Sequence, residues 1–128
     1  HLIISRLQLD QPVLDGEAET TVNRGIWRLP RTATPGLGSN TVLVGHRFTY
    51  TGPSVFYNLD KVQANDDVVL VYNKIIYVFR VDSVQTVEPT DLNVEAPTTQ
   101  EKLTIYTCTP LGSVRYRLVI NSHLEKSQ

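Results

Sequence analysis

The stretch Leu103-Thr104-Ile105-Tyr106-Thr107-Cys108-Thr109-Pro110 joins a strand pattern to the only cysteine in the chain. Apolar, aromatic and β-branched side chains fill its first five positions, which is typical of a β-strand. Cys108 follows where this pattern gives way to Thr109 and Pro110. A lone thiol is either a small core residue or a nucleophile. The position at a strand end favours the second interpretation, because loops at strand ends build many functional sites.

Short strand patterns also lie on both sides of this stretch. Residues 41–45 are apolar or β-branched up to Gly45, and 116–120 are apolar except for Arg117. The runs 68–72 and 75–81 flank Asn73-Lys74, which predicts a hairpin turn. Many short strands separated by turn signals indicate a closed barrel or a sandwich, and a barrel leaves no open edges. We therefore predict an all-β fold, a closed β-barrel of about eight strands with one or two short helices.

The length of 128 residues is enough for one domain. The helical pattern is limited to residues 17–23 and a turn over 53–59, while 30–40 and 89–99 have the composition of loops. No apolar run approaches the roughly 18 residues that span a bilayer. Since the chain begins with His1 and contains no methionine, we expect a single domain over 1–128, excised from a longer protein.

The composition excludes several classes of function. The net charge is −1, so no basic surface would attract nucleic acid or an anionic membrane. A single cysteine rules out an internal disulfide and a multi-cysteine metal site. The acidic residues match no EF-hand spacing, and we predict no metal site and no cofactor.

His46 and Arg117 are the residues most able to serve the Cys108 thiol. His46 follows the apolar run 41–45 and Gly45, whose lack of a side chain permits a close approach or positive φ. Arg117 lies on the next predicted strand after Cys108, and its guanidinium would reach back to the strand that carries Cys108. The plain alternatives are a hydrogen-bonded surface histidine and a solvated arginine.

The motifs around these three residues resemble those of the sortases, the cysteine transpeptidases that attach proteins to the Gram-positive cell wall. The segment 104–108 resembles the family's TLxTC motif, with Ile105 in place of leucine. Residues 107–112 and 117–119 resemble its TCTPYG and RLxV stretch, and 45–47 resembles its GHR motif. Segments 28–36 and 58–62 resemble its proline–glycine loop and its NLDKL segment, so that the likeness extends over nearly the whole chain.

This resemblance implies a sortase-type β-barrel and a catalytic set of His46, Cys108 and Arg117. It implies cleavage of an LPxTG- or LAxTG-like sorting signal between Thr and Gly, through a thioacyl intermediate on Cys108. The acyl group would pass to an amine of a cell-wall precursor or a pilin. Such an enzyme would work as a monomer on the outer face of the cell membrane, held by an N-terminal anchor outside this chain.

The resemblance also suggests substrate-binding positions and a subclass. Thr107 and Leu111 belong to the motif around the cysteine, and Tyr50 completes a GHRxTY pattern that resembles class E; we expect all three on the substrate groove. The stretch 108–112 looks more like classes C and D, so a class E-like or D-like enzyme is predicted. Two alternatives stay open: a cysteine hydrolase that uses the same site, and a non-catalytic barrel that binds peptide or glycan, with Cys108 structural.

Overall fold

The computed structural model describes residues 1–128, which form one nine-stranded sheet and four short 3-10 helices. The helices cover Ser5–Leu7, Glu19–Arg24, Leu59–Lys61 and Leu92–Glu95. None of them has the length or apolar character that a bilayer-spanning helix requires. The strands are β1 Leu2–Ile4, β2 Leu9–Gln11, β3 Val13–Asp15, β4 Ile26–Arg28, β5 Asn40–Val44, β6 Asp67–Tyr72, β7 Ile75–Val87, β8 Lys102–Thr109 and β9 Tyr116–Ser127.

The sheet curls into a nearly closed barrel. Its strand order is β2-β1-β6-β7-β9-β8-β5-β4-β3, so the two edge strands are β2 and β3. Pro12 alone separates these edges along the chain, and the edges therefore come together in space. The predicted all-β barrel is confirmed, with nine strands where about eight were expected.

Strands β5, β8 and β9 place the important residues at one end of the barrel. Strand β5 runs parallel to β8, with Val44 opposite Tyr106, while β9 runs antiparallel to β8, with Arg117 opposite Cys108. Parallel neighbours end at the same edge of a sheet. The segment that follows β5, beginning at Gly45, therefore emerges beside the end of β8.

The barrel interior is filled by a cluster of 16 buried apolar residues, which includes Leu103 and Ile105 of β8 and Phe56. Side chains alternate between the two faces of a strand. Leu103, Ile105 and Thr107 are buried on one face. On the other face Thr104 is also buried, whereas Tyr106 and Cys108 are half-buried. This alternation turns Tyr106 and Cys108 outward together, on a wall held by the core behind it.

The structure agrees with some local predictions and differs from others. The hairpin turn at Asn73 and Lys74 is present, and both residues have positive φ (52° and 66°), as a two-residue turn requires. The helix expected over 17–23 is a 3-10 helix over Glu19–Arg24. The turn expected over 53–59 is present at residues 55–58, and a 3-10 helix follows it at Leu59–Lys61. Cys108 lies within β8, not beyond its end, because Arg117 of β9 pairs with it.

Candidate active site

Cys108 and Arg117 face each other across the β8–β9 pair. They are register partners, and Arg117 Nη1 lies 3.5 Å from Cys108 Sγ. The same nitrogen donates to the carbonyl of Val114 at 3.5 Å, which holds the guanidinium near the strand end. Both side chains are half-buried. The thiol therefore has a fixed cation beside it and remains open to a ligand.

His46 stands at the end of β5 and is oriented by a neighbour from another element. Its Nε2 lies 2.8 Å from Oδ1 of Asn23 in the Glu19–Arg24 helix. An amide oxygen only accepts hydrogen bonds, so this contact forms when Nε2 is a protonated nitrogen of the ring. Asn23 was not identified from the sequence, because an asparagine in a polar segment carries no signal of its tertiary partner.

Gly45 is required by close packing behind His46. A Cβ at this position would lie 2.6 Å from Val55 Cγ2 and 2.7 Å from Phe56 Cδ2. Of the two reasons considered for this glycine, close approach is the one that applies. The Gly45 carbonyl also accepts a hydrogen bond of 2.7 Å from the buried hydroxyl of Thr107, which ties β8 to the segment that carries His46.

Arg47 makes a second tie between the same two segments. Its side chain is 9% exposed, and Nη1 donates to Oγ1 of Thr109 at 3.0 Å. Nε donates to the carbonyl of Tyr57 at 3.2 Å, and Nη2 lies 3.1 Å from a carboxylate oxygen of Asp60. The residue after the histidine is thereby bonded to the residue after the cysteine. Hydrogen bonds from a charged group are stronger than neutral ones, which makes this an effective clamp.

Two surface cavities meet at Cys108 and His46, and both residues line both of them. The first, called the Trp27 cavity, measures about 240 Å³, and its walls include Trp27, Val22, Val44, Tyr106 and Arg117. The second, called the Tyr50 cavity, measures about 400 Å³, and its walls include Phe48, Tyr50, Gly112 and Val114.

Tyr106 forms a wall of the Trp27 cavity and anchors the loop before β8. Its hydroxyl donates to Glu95 at 2.9 Å, and Nε of Arg31 donates to the other carboxylate oxygen at 2.8 Å. Burial, followed by the hydrogen bond and charge of Glu95, raises the pKa of Tyr106 well above its usual range. The phenol therefore stays neutral and keeps donating, so the wall does not change with pH in the physiological range.

Of the three predicted substrate-binding residues, two line a cavity and one does not. Thr107 lines the Trp27 cavity, although its hydroxyl is bonded to Gly45. Tyr50 lines the Tyr50 cavity, and its side chain is 93% exposed. Leu111 lies outside the walls of both cavities, and its role stays a prediction. No three His, Cys, Asp or Glu side chains converge as metal ligands would.

Together, this fold and site define a β-barrel with a thiol, an imidazole and a guanidinium at one end, the arrangement of a cysteine acyltransferase. A family model of the sortase domain matches residues 2–125. The chain therefore belongs to the sortase family, whose members are cysteine transpeptidases that act at the cell surface.

Solved sortase structures are similar over almost the whole chain. The chain is similar to sortase C1 of GBS pilus island 1 at 29% identity and a TM-score of 0.90, covering 98% of this chain and 63% of that one. It is similar to a lid mutant of sortase A from Corynebacterium diphtheriae at 26% identity and a TM-score of 0.89, covering 98% and 68%. A Clostridium perfringens sortase D5 shares the fold at 23% identity and a TM-score of 0.87, covering 98% and 77%. No curated protein sequence matches the chain.

Proposed function

We propose that this domain is a transpeptidase that cleaves an LPxTG- or LAxTG-like sorting signal between Thr and Gly and transfers the acyl group to an amine. One observation carries the proposal: Cys108 and Arg117 are cross-strand partners, and His46 lines the same two cavities as Cys108. The acceptor would be an amine of a cell-wall precursor or a pilin. The enzyme would act as a monomer outside the cell membrane, held by an anchor beyond this chain.

In the first step the Cys108 thiolate attacks the carbonyl carbon of Thr in the signal. Arg117, 3.5 Å from the sulfur, is placed to donate hydrogen bonds to the oxyanion as it forms. The C–N bond then breaks, and protonated His46 supplies the proton that the leaving glycine amine needs. The product of this step is a thioester on Cys108.

In the second step an amine attacks the thioester carbon, and His46 takes its proton. The C–S bond breaks and the thiolate is restored, so one amide bond replaces another with no net redox change. If water attacks instead, the same intermediate is hydrolysed. The hydrolase alternative is therefore a matter of which nucleophile reaches the thioester, whereas a non-catalytic barrel would form no thioester at all.

Mass spectrometry of the protein with a fluorogenic signal peptide tests this proposal. We expect an acyl adduct on Cys108, and cleavage reduced by about 10²–10³-fold or more in Cys108→Ala, His46→Ala and Arg117→Ala. The matched controls are His123→Ala and Arg115→Ala, which remove exposed side chains outside both cavities. Cleavage that is unchanged in the first three variants would refute an enzymatic role for the site.

A further inference from the structure

We propose that Glu19 gives the enzyme a preference for a basic side chain, lysine or arginine, at the variable position x of the sorting signal. This assignment rests on the proposed function and deepens it, because the motif leaves x unspecified. Three features of the Glu19 carboxylate support it: the helix that holds it beside the Trp27 cavity, its lack of a partner in the chain, and its distance from the cation at the site.

The helix Glu19–Arg24 is fixed on both sides of the Trp27 cavity. Just before the helix, the carbonyl of Gly16 accepts a hydrogen bond of 2.8 Å from Nε1 of Trp27, which itself lines the cavity. Near the other end, Oδ1 of Asn23 lies 2.8 Å from Nε2 of His46. The helix also packs against β4. Its first residue is therefore held at the edge of the cavity and does not lie on a free loop.

Glu19 faces the cavity and has no partner in the chain. A 3-10 helix has three residues per turn, so Glu19 and Val22 lie on the same side of it, and both line the Trp27 cavity. Glu19 takes part in none of the ion pairs of the chain. It is also the one carboxylate among the lining residues. An unpaired carboxylate in this place is available to a cationic side chain of the substrate.

The guanidinium of Arg117 lies too far away to neutralise Glu19. Three strand spacings separate β9, which carries Arg117, from β4, against which the helix packs, and they amount to about 14 Å along the sheet. This distance exceeds the screening length of about 8 Å at physiological salt. Arg117 is also engaged by Cys108 and by the carbonyl of Val114. The cavity is therefore positive beside the thiol and negative at the helix.

The distance between Glu19 and the catalytic residues suits position x. A 3-10 helix rises about 2 Å per residue, so Glu19 lies about 8 Å along the helix from Asn23, which contacts His46. An extended peptide covers about 3.3 Å per residue. The residue next to the scissile Thr therefore reaches the carboxylate with a long side chain such as that of lysine. The other four positions of the motif are specified and uncharged, which leaves x as the position where a charge can vary.

A carboxylate beside position x attracts a cation there and repels an anion. Trp27, Val44 and Tyr106 supply large apolar surfaces around the same cavity. Such walls displace water, and charges interact more strongly where less water lies between them. The preference is therefore expected to exceed that of an ion pair in open solvent.

Competition between signal peptides that differ only at x tests this assignment. The 128-residue protein receives equal amounts of peptides with lysine, glutamine or glutamate at x, in the LPxTG or the LAxTG series, whichever is cleaved faster. The ratio of products gives the ratio of kcat/KM values, which does not change when a variant slows all peptides equally. The variants are Glu19→Gln and the charge reversal Glu19→Lys. Glu17→Gln is the matched control, since Glu17 is exposed and lines neither cavity.

We expect the parent to favour lysine over glutamate about fivefold or more, and Glu19→Gln to bring the ratio to within about twofold of one. Glu19→Lys should reverse the preference, and added salt should weaken it in the parent. Glu17→Gln should keep the ratio of the parent.

Equal cleavage of the lysine and glutamate peptides by the parent would overturn the assignment. A preference that survives Glu19→Gln would do so too, and so would an equal loss of preference in Glu17→Gln. The glutamine peptide separates these results from a failure of the proposed function, because its cleavage does not depend on a charge at x. If the parent cleaves none of the peptides, the proposed function itself fails.

Discussion

At Thr109 a single hydroxyl connects the two halves of the site. Its oxygen accepts from Arg47 at 3.0 Å, and these residues follow Cys108 and His46 directly in the chain. The hydrogen bond between Thr107 and Gly45 joins the same segments two residues earlier, just before Cys108 and His46. Catalytic groups must be held to within a fraction of an ångström, so such ties matter for rate even where they add little stability.

We predict that Thr109→Val lowers kcat/KM about tenfold, because it leaves the Arg47 guanidinium without one acceptor and loosens the spacing of His46 and Cys108. The free energy of unfolding should fall by only about 1 kcal/mol, the net contribution of one hydrogen bond. Steady-state kinetics and urea denaturation measure the two effects. Thr86→Val, an exposed strand threonine of β7, is the control. A loss of activity no greater than in Thr86→Val would contradict this role.

Some residues of the site could be predicted from the sequence, and others could not. Cys108, His46 and Arg117 were predicted together because their motifs match a family, and the structure brings them to one barrel end. Asn23 and Asp60 were not found. Their contacts join different segments of the chain, Asn23 to His46 and Asp60 to Arg47. The residues next to a polar side chain in the sequence do not reveal its partner on another element.

Among the elements, β7 and β9 form the longest pairing in the barrel, and His123 lies on it. Its Nδ1 is 2.6 Å from Asp82 Oδ1 on β7, and its Nε2 is 3.3 Å from Glu125 Oε2. The hydrogen bond to Asp82 and the charges of both carboxylates raise the pKa of His123 in the folded state. Arg80 of β7 and Lys102 of β8 lie opposite His123 in the sheet register.

A raised folded-state pKa means that the folded chain holds this proton more tightly than the unfolded chain. The stabilisation is therefore complete below the unfolded value of about 6.5 and is lost as the pH rises through the folded value. Because the side chain is half-exposed and screened by solvent, we predict at most about 0.5–1 kcal/mol. Denaturation at pH 5.5, 7 and 9 should show the parent losing its advantage over His123→Gln, and an advantage that grows with pH would refute the prediction.

Element boundaries show where the sequence was a poorer guide. Strand β9 was expected over 116–120 but extends to Ser127, because its polar second half pairs with β7. Backbone pairing with β7 holds this polar half of β9 in a strand, and a polar sequence gives no sign of such pairing. The apolar patterns of β5 and β8 were read correctly, since burial in the core dictates those residues.

In the whole molecule, Cys108 and Arg117 lie on strands with neighbours on both sides, and not on the edge strands β2 and β3, which meet at the seam of the barrel. Strand β9 has neighbours on both sides over most of its length, and β8 lies between β9 and β5. The edge strands β2 and β3 have three residues and one partner each. Local opening is easiest where few hydrogen bonds and little apolar burial must be given up.

We predict from this arrangement that backbone amides of β2 and β3 exchange with solvent at least about 10²-fold faster than those of residues 103–107 and 118–122, because the seam opens without global unfolding. Hydrogen exchange followed by mass spectrometry measures both sets in one experiment. The 110–115 loop, which borders the Tyr50 cavity at Gly112 and Val114, should exchange as fast as the seam. Residues 103–107 exchanging as fast as β3 would show that the wall opens with the seam, and would contradict this view of the barrel.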